Sequence, residues 1–224
     1  MKLFFTSMLI VVFSTSSLLA QADDFSDGVA LYGQRDFPAA AAAFKKAAEQ
    51  GKSDAQFNLG LMHLKGEGVA QDYVEVKVLF EKAAEQNNVR AQVNFARMYA
   101  KAKGVAPNYG MAVYWFNKAV ELGYADAQYS LGGLYVNGIG VSRNFDKARD
   151  LFSKAAQQKN ASAQYQLGLM YFKGKGVATD KVEAMKWFIL AGDYDDAVTY
   201  RKYAELQMSK KEIEEANVEA AKVQ

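Results

Sequence analysis

The chain has 224 residues, half of them hydrophobic and only two proline, with 27 Lys and Arg against 25 Asp and Glu, one His and no Cys. The absence of Cys excludes a disulfide framework, a Cys–His nucleophile pair and a zinc site built from Cys and His. A formal net charge of +2 gives no reason to expect nucleic acid, and the composition predicts an ordered, helical chain.

The first 22 residues, M-K-L-F-F-T-S-M-L-I-V-V-F-S-T-S-S-L-L-A-Q-A, carry one early cation, an apolar middle and a small-x-small ending at Ala20-Gln21-Ala22. This reads as a signal peptide cleaved after Ala22, with a second candidate bond after Ala20. The apolar core from Met8 to Phe13 is far short of the roughly 20 residues that span a bilayer, so no stable membrane insertion is expected after cleavage. A periplasmic or secreted protein is expected, monomeric and without a lipid-attachment Cys.

Residues 23–54 read as an incomplete N-terminal capping repeat. Asp36-Phe37-Pro38 opens its alanine-rich helix, since proline is tolerated in a first turn whose N–H groups have no partner. Four full copies follow, starting at Ala55, Ala91, Ala127 and Ala163, each 36 residues from the last. The first reads A-Q-F-N-L-G-L-M-H-L-K-G-E-G-V and the fourth A-Q-Y-Q-L-G-L-M-Y-F-K-G-K-G-V. A fixed period of this kind signals a solenoid, with units 55–90, 91–126, 127–162 and 163–196.

Within each unit Ala55, Leu59 and Met62, and their counterparts, fall at i, i+4 and i+7, which predicts a helix A. Gly68, Gly104, Gly140 and Gly176 share one place after it, where a left-handed backbone is expected. A phosphate cradle is the weaker reading, because the glycines follow a helix and not a strand. Asp72, Asn108, Asn144 and Asp180 then stand as N-caps of a helix B. Leu79-Phe80, Trp115-Phe116, Leu151-Phe152 and Trp187-Phe188 supply its buried stripe. Gly60, Gly132 and Gly168 within helix A imply close packing that offsets their low helix propensity.

After Ala191 the register breaks, and residues 197–224 read as C-terminal capping helices. S-K-K-E at Ser209 to Glu212 has the form of a capping box, opening a charged helix with the narrow apolar stripe Ile213, Ala216 and Ala220. A lid with a polar outer face is what an open stack requires.

The pattern A-Q-x-x-L-G-x-M-Y-x-x-G-x-G-V, followed by Asp or Asn and then Trp-Phe and Ala-Ala at helical spacing, resembles the Sel-one-like repeat (SLR) family, related to the tetratricopeptide repeat. The resemblance covers about residues 55–192. It implies an all-α, right-handed superhelical solenoid of about four to five helix-turn-helix units with a concave surface. It further implies an exported bacterial adaptor or regulator that binds other proteins at the envelope. The family also includes members with β-lactamase-like activity or links to cell-wall fragments. The second unit departs from the pattern at Ala96 and Ala102, where glycine is usual.

His63 is the only histidine, and Tyr99, Tyr135 and Tyr171 fill its place elsewhere, so it reads as a packed aromatic substitute. Asp193, Asp195 and Asp196 form the densest acidic cluster, expected to cap and solvate a helix start. Adjacent Ser and Lys pairs, such as Ser153 and Lys154, point away from each other on a helix and make no nucleophilic site. No enzyme activity, cofactor or metal is therefore expected.

The related tetratricopeptide superhelix lines its groove with helix A positions that do not face the core. Carried over in register, these are Phe57, Leu61, Leu64 and Lys65, then Val93, Arg97, Ala100 and Lys101. Tyr129, Gly133, Val136 and Asn137 follow, and finally Tyr165, Leu169, Phe172 and Lys173. The expected partner is a protein or peptide segment combining apolar anchors with acidic residues. The competing readings are packing of Phe57 and Leu61 against the next unit, a peptidoglycan- or glycan-binding module using the recurring tyrosines, and a cell-wall or β-lactam hydrolase.

Overall fold

The computed structural model describes residues 16–223, and among these every regular element is an α-helix. Of the expected signal segment, residues 1–15 lie outside the described residues. The chain divides into two units, one ending at Asp72 and the other starting at Tyr73.

The first unit contains α1 (Ser16–Gly33), α2 (Phe37–Glu49) and α3 (Ser53–Lys65). Asp36 caps α2 by accepting from the Ala39 N–H at 3.2 Å, and Pro38 sits in the first turn, where no donor is lost. Phe44 is buried on α2 and meets the Phe25 ring of α1 at 5.8 Å. Behind α3 the chain passes so close to the Phe37 carbonyl that a Cβ on Gly68 has no room.

The second unit runs α4 (Tyr73–Glu85), α5 (Val89–Lys101), α6 (Tyr109–Glu121), α7 (Ala125–Asn137), α8 (Phe145–Gln157), α9 (Ala161–Lys173), α10 (Lys181–Leu190), α11 (Asp195–Glu205) and α12 (Lys210–Ala221). From α4 to α11 each helix packs on the next in sequence. That is the contact pattern of a helix-pair solenoid, in which stability comes from neighbours. Phe80, Phe95, Phe152 and Phe188 are almost completely buried between the helices. Gly132 and Gly168 explain themselves here: a Cβ would lie 2.7 Å from the Phe152 ring at the first and 2.5 Å from the Phe188 ring at the second.

The loop from helix A to helix B is built the same way each time. Gly66, Ala102, Gly138 and Gly174 end helix A in the left-handed region, each donating its N–H to the carbonyl of Met62, Met98, Leu134 or Met170. Asn108, Asn144 and Asp180 then cap α6, α8 and α10 through their side-chain oxygens at 3.0, 2.9 and 2.9 Å. Ala102 keeps the loop conformation that its glycine counterparts have, at φ 52°. A non-glycine residue there carries a penalty of about 1 kcal/mol. Ala102→Gly is therefore expected to raise the unfolding free energy by about 0.5–1 kcal/mol, read by chemical denaturation.

One repeated side chain has a role that its spacing did not disclose. Gln56, Gln92 and Gln164 are buried, and each Nε2 donates to the carbonyl of Ala48, Ala84 or Ala156 at 3.2–3.3 Å. Those carbonyls end a preceding helix B, where the last turn lacks intrahelical donors. Gln128 instead accepts from Gln158 at 2.9 Å.

In α12 Ser209 and Glu212 form the expected capping box, and Ala216 and Ala220 are buried. The helix rests on α10, with Met185, Ala204 and Ala216 as the core of the contact. Its outer side is less polar than expected, since Val218 is 51% exposed, and Leu206, the C-cap of α11, is 83% exposed.

Candidate partner-binding face

The helix A positions expected to contact a partner divide between packing and surface. In the first unit Phe57 is buried, and Leu61 lines a cavity of about 190 Å³ with Val29, Tyr32, Phe44, Asn58 and Met62. Leu64 is half-buried. Lys65 is exposed but engaged: it donates to the Tyr32 hydroxyl at 3.4 Å and pairs with Glu67 at 3.6 Å, while Tyr32 donates to Glu67 at 2.7 Å. The hydrogen bond to Tyr32 is the main reason its ammonium is held above the usual lysine range.

In the second unit Val93 and Tyr165 are buried, because a residue near the start of helix A faces both neighbouring helices. Phe57 and Tyr165, expected as open contacts, are thus each buried within their own unit. Arg97 pairs with Asp126 at 3.5 Å, both side chains being well exposed. Exposed pairs of this kind contribute little to stability, so the guanidinium remains exchangeable toward a partner. Lys101 is exposed. Tyr129 is half-buried with its ring 5.9 Å from Phe152, and burial, then Tyr194, pushes its hydroxyl above the usual tyrosine range.

Tyr165 is the centre of an aromatic group that spacing alone only partly disclosed. Its ring lies 5.3 Å from Tyr194, 5.9 Å from Tyr200 and 6.1 Å from Phe188. Burial, then the Asp196 charge, pushes its hydroxyl up to about 12, so it stays neutral and can donate at any physiological pH. Phe172 meets Tyr200 edge-on at 5.9 Å, and Leu169 packs against the same cluster. Lys173 lies over the Tyr200 ring at 5.0 Å and donates to its hydroxyl at 3.0 Å. Tyr194 and Tyr200 fall after the register break; their signal was Ala197, buried like the Ala163 that opens helix A.

The result is a strip across α5, α7, α9 and α11: Arg97, Tyr129, Tyr165 with Tyr194, then Tyr200 under Lys173. It offers aromatic faces, hydroxyl donors and cations, and it suits a chain segment laid across helices. Nothing in it activates a nucleophile. His63 donates from Nδ1 to the Ala70 carbonyl at 3.1 Å, tying down its loop. The N-cap position of α11 falls to Tyr194, which makes no side-chain capping bond, and not to Asp193. Among the described residues no group of three or more His, Cys, Asp or Glu could hold a metal ion. Among them, too, no helix is long and apolar enough to cross a membrane.

The family model described as Sel1 repeat matches residues 28–52, 53–88, 89–124, 125–160 and 161–193. No curated protein matches the chain. Among solved structures, c5321, a protective antigen present in uropathogenic Escherichia coli strains and displaying an SLR fold, is 32% identical with a TM-score of 0.85. That likeness covers 94% of this chain and 47% of c5321, so the chain spans about half of that relative's length. A Sel1 repeat protein from Oxalobacter formigenes is 29% identical at a TM-score of 0.78, over 95% of this chain and 91% of its own. The immunity protein PA5088 from Pseudomonas aeruginosa, 20% identical at a TM-score of 0.53 over 91% of this chain and 81% of its own, shares the fold. Sel1-repeat proteins are generally scaffolds for protein–protein interaction. With repeats matched from residue 28 to 193 and an all-α solenoid shared with its relatives, the chain belongs to the Sel1-repeat family.

Proposed function

We propose that the protein is an exported, monomeric, noncatalytic adaptor of the bacterial envelope, and that it holds a partner segment on the helix A face of its second unit. The observation that carries this is the tyrosine strip around Tyr165. A surface that only closes a solenoid has no need of aromatic rings with hydroxyls, ringed by Arg97 and Lys173. A partner with apolar anchors and acidic residues would stack on Tyr129, Tyr194 and Tyr200 and exchange its carboxylates for those now paired with Arg97. Export rests on the pattern of residues 1–22.

The test is co-purification from cells with an Arg97→Ala/Tyr129→Ala variant. Partner recovery is expected to fall at least tenfold with the helical circular dichroism unchanged; equal recovery contradicts the assignment. Tyrosine faces also stack on sugars, so pelleting with peptidoglycan sacculi is the second arm. Loss of sacculus binding in Tyr129→Ala, with protein partners retained, would make the strip a glycan site.

A further inference from the structure

The two edges of the second unit carry opposite charge, an arrangement that the sequence hides because it contains no polybasic run. At one edge the loops from helix A to helix B touch in succession: Gly104 abuts Tyr73, Gly140 abuts Tyr109 and Gly176 abuts Phe145. Segments 101–108, 137–144 and 173–180 therefore form one continuous border. They carry Lys101, Lys103, Arg143, Lys173 and Lys175 against a single acid, Asp180, which is engaged in capping α10. At the opposite edge Gln158 donates to the Gly123 carbonyl at 2.8 Å and Asn160 to Asp126 at 3.1 Å, so those loops are contiguous as well. Segments 85–88, 121–124, 157–160 and 191–196 carry Glu85, Glu121, Asp193, Asp195 and Asp196 against Lys159.

The cations of the basic border also differ from the others in their pairing. Lys77, Arg97, Lys118, Arg149 and Lys186 all make ion pairs elsewhere in the unit. Among the described residues none of the five border cations does; Arg143 and Lys173 lie over the rings of Phe145 and Tyr200 instead. Beside them Tyr109 is 44% exposed, and Val105, Val141 and Val177 at the loop tips are half-buried.

We propose that this border is a docking edge for an anionic lipid surface. Each of the three touching loops carries at least one of the cations, so the positive charge is spread along the border, and a partner must present negative charge over the same span, as a bilayer does. An exposed tyrosine and half-buried valines among lysines suit the headgroup boundary. The attachment is peripheral and screened by salt; Lys173, which the border shares with the tyrosine strip, stays unchanged in the variant that tests it.

The test is co-sedimentation of the full chain with vesicles of phosphatidylglycerol and phosphatidylethanolamine, compared with phosphatidylcholine vesicles. The readout is the difference between the two, in which any contribution of the N-terminal segment common to all variants cancels. Lys101→Gln/Lys103→Gln/Lys175→Gln is expected to weaken the anionic-lipid partition roughly 100-fold, at about fivefold per charge removed. Lys82→Gln/Lys118→Gln/Lys154→Gln removes as much charge from the last turns of α4, α6 and α8 and is expected to bind like the parent, and 0.5 M salt, about ten times a low-salt buffer, to release both. Equal binding by the first variant, or an equal loss in the second, overturns the proposal. So does a hexaglutamate peptide that binds the same lysines more tightly than the vesicles, which would make the occupant an acidic protein.

Discussion

Phe188→Ala is expected to lower the unfolding free energy by about 4 kcal/mol, the usual cost of emptying a fully buried aromatic site. The side chain has no exposed surface, and its ring supports Tyr165 at 6.1 Å, Phe172 at 6.3 Å and Tyr200 at 5.8 Å. The loss will not spread evenly. In a stack where each helix contacts the helices beside it, α12 also resting on α10, the damage stays local. Hydrogen exchange should show α9, α10, α11 and α12 losing protection while α4 to α6 keep theirs. Because the tyrosine strip rests on this ring, partner recovery should fall with it. Uniform loss of protection across the second unit would contradict the nearest-neighbour account.

Gly140→Ala is expected to cost about 3 kcal/mol, combining the left-handed backbone penalty with overpacking. Glycine there has φ 71°, and an added Cβ would lie 2.7 Å from the Tyr109 Cβ and 2.9 Å from its carbonyl oxygen. Two residues earlier, Gly138 has nearly the same φ, 68°, but its nearest neighbour would be Arg143 Cβ at 3.3 Å. Gly138→Ala should therefore cost only about 1 kcal/mol, the backbone penalty alone. Ala102, which occupies the same loop place in the preceding unit, shows that alanine is accepted there. Thermal denaturation of the two variants side by side checks the difference. Equal destabilisation would mean that backbone conformation alone fixes the second glycine of each loop.

That contrast marks what the sequence could disclose. The period placed the helices, the asparagine caps and the left-handed glycines, because each depends on residues a few positions apart. It did not separate the two glycines of a loop, because the second is fixed by an aromatic residue 31 positions earlier, Tyr109 for Gly140. Nor did it assign the buried glutamines, whose partners lie on a preceding helix. For the binding face, the register placed Arg97, Tyr129, Leu169, Phe172 and Lys173 on one side of the second unit. It overestimated the reach of Phe57 and Tyr165, since burial depends on the helices on either side. It stopped short of Tyr194 and Tyr200 because a shortened unit shifts the spacing just where the aromatic group is densest.

The central claim is that the helix A face of the second unit is where a partner sits. Site-specific photocrosslinking in intact cells tests it most directly, with p-benzoylphenylalanine placed at Arg97, at Tyr194, or at Tyr114 on the helix B side, where the native ring is 49% exposed. Discrete higher-mass adducts are predicted from Arg97 and Tyr194 and none from Tyr114. Adducts from Tyr114 as strong as those from the strip would contradict the account.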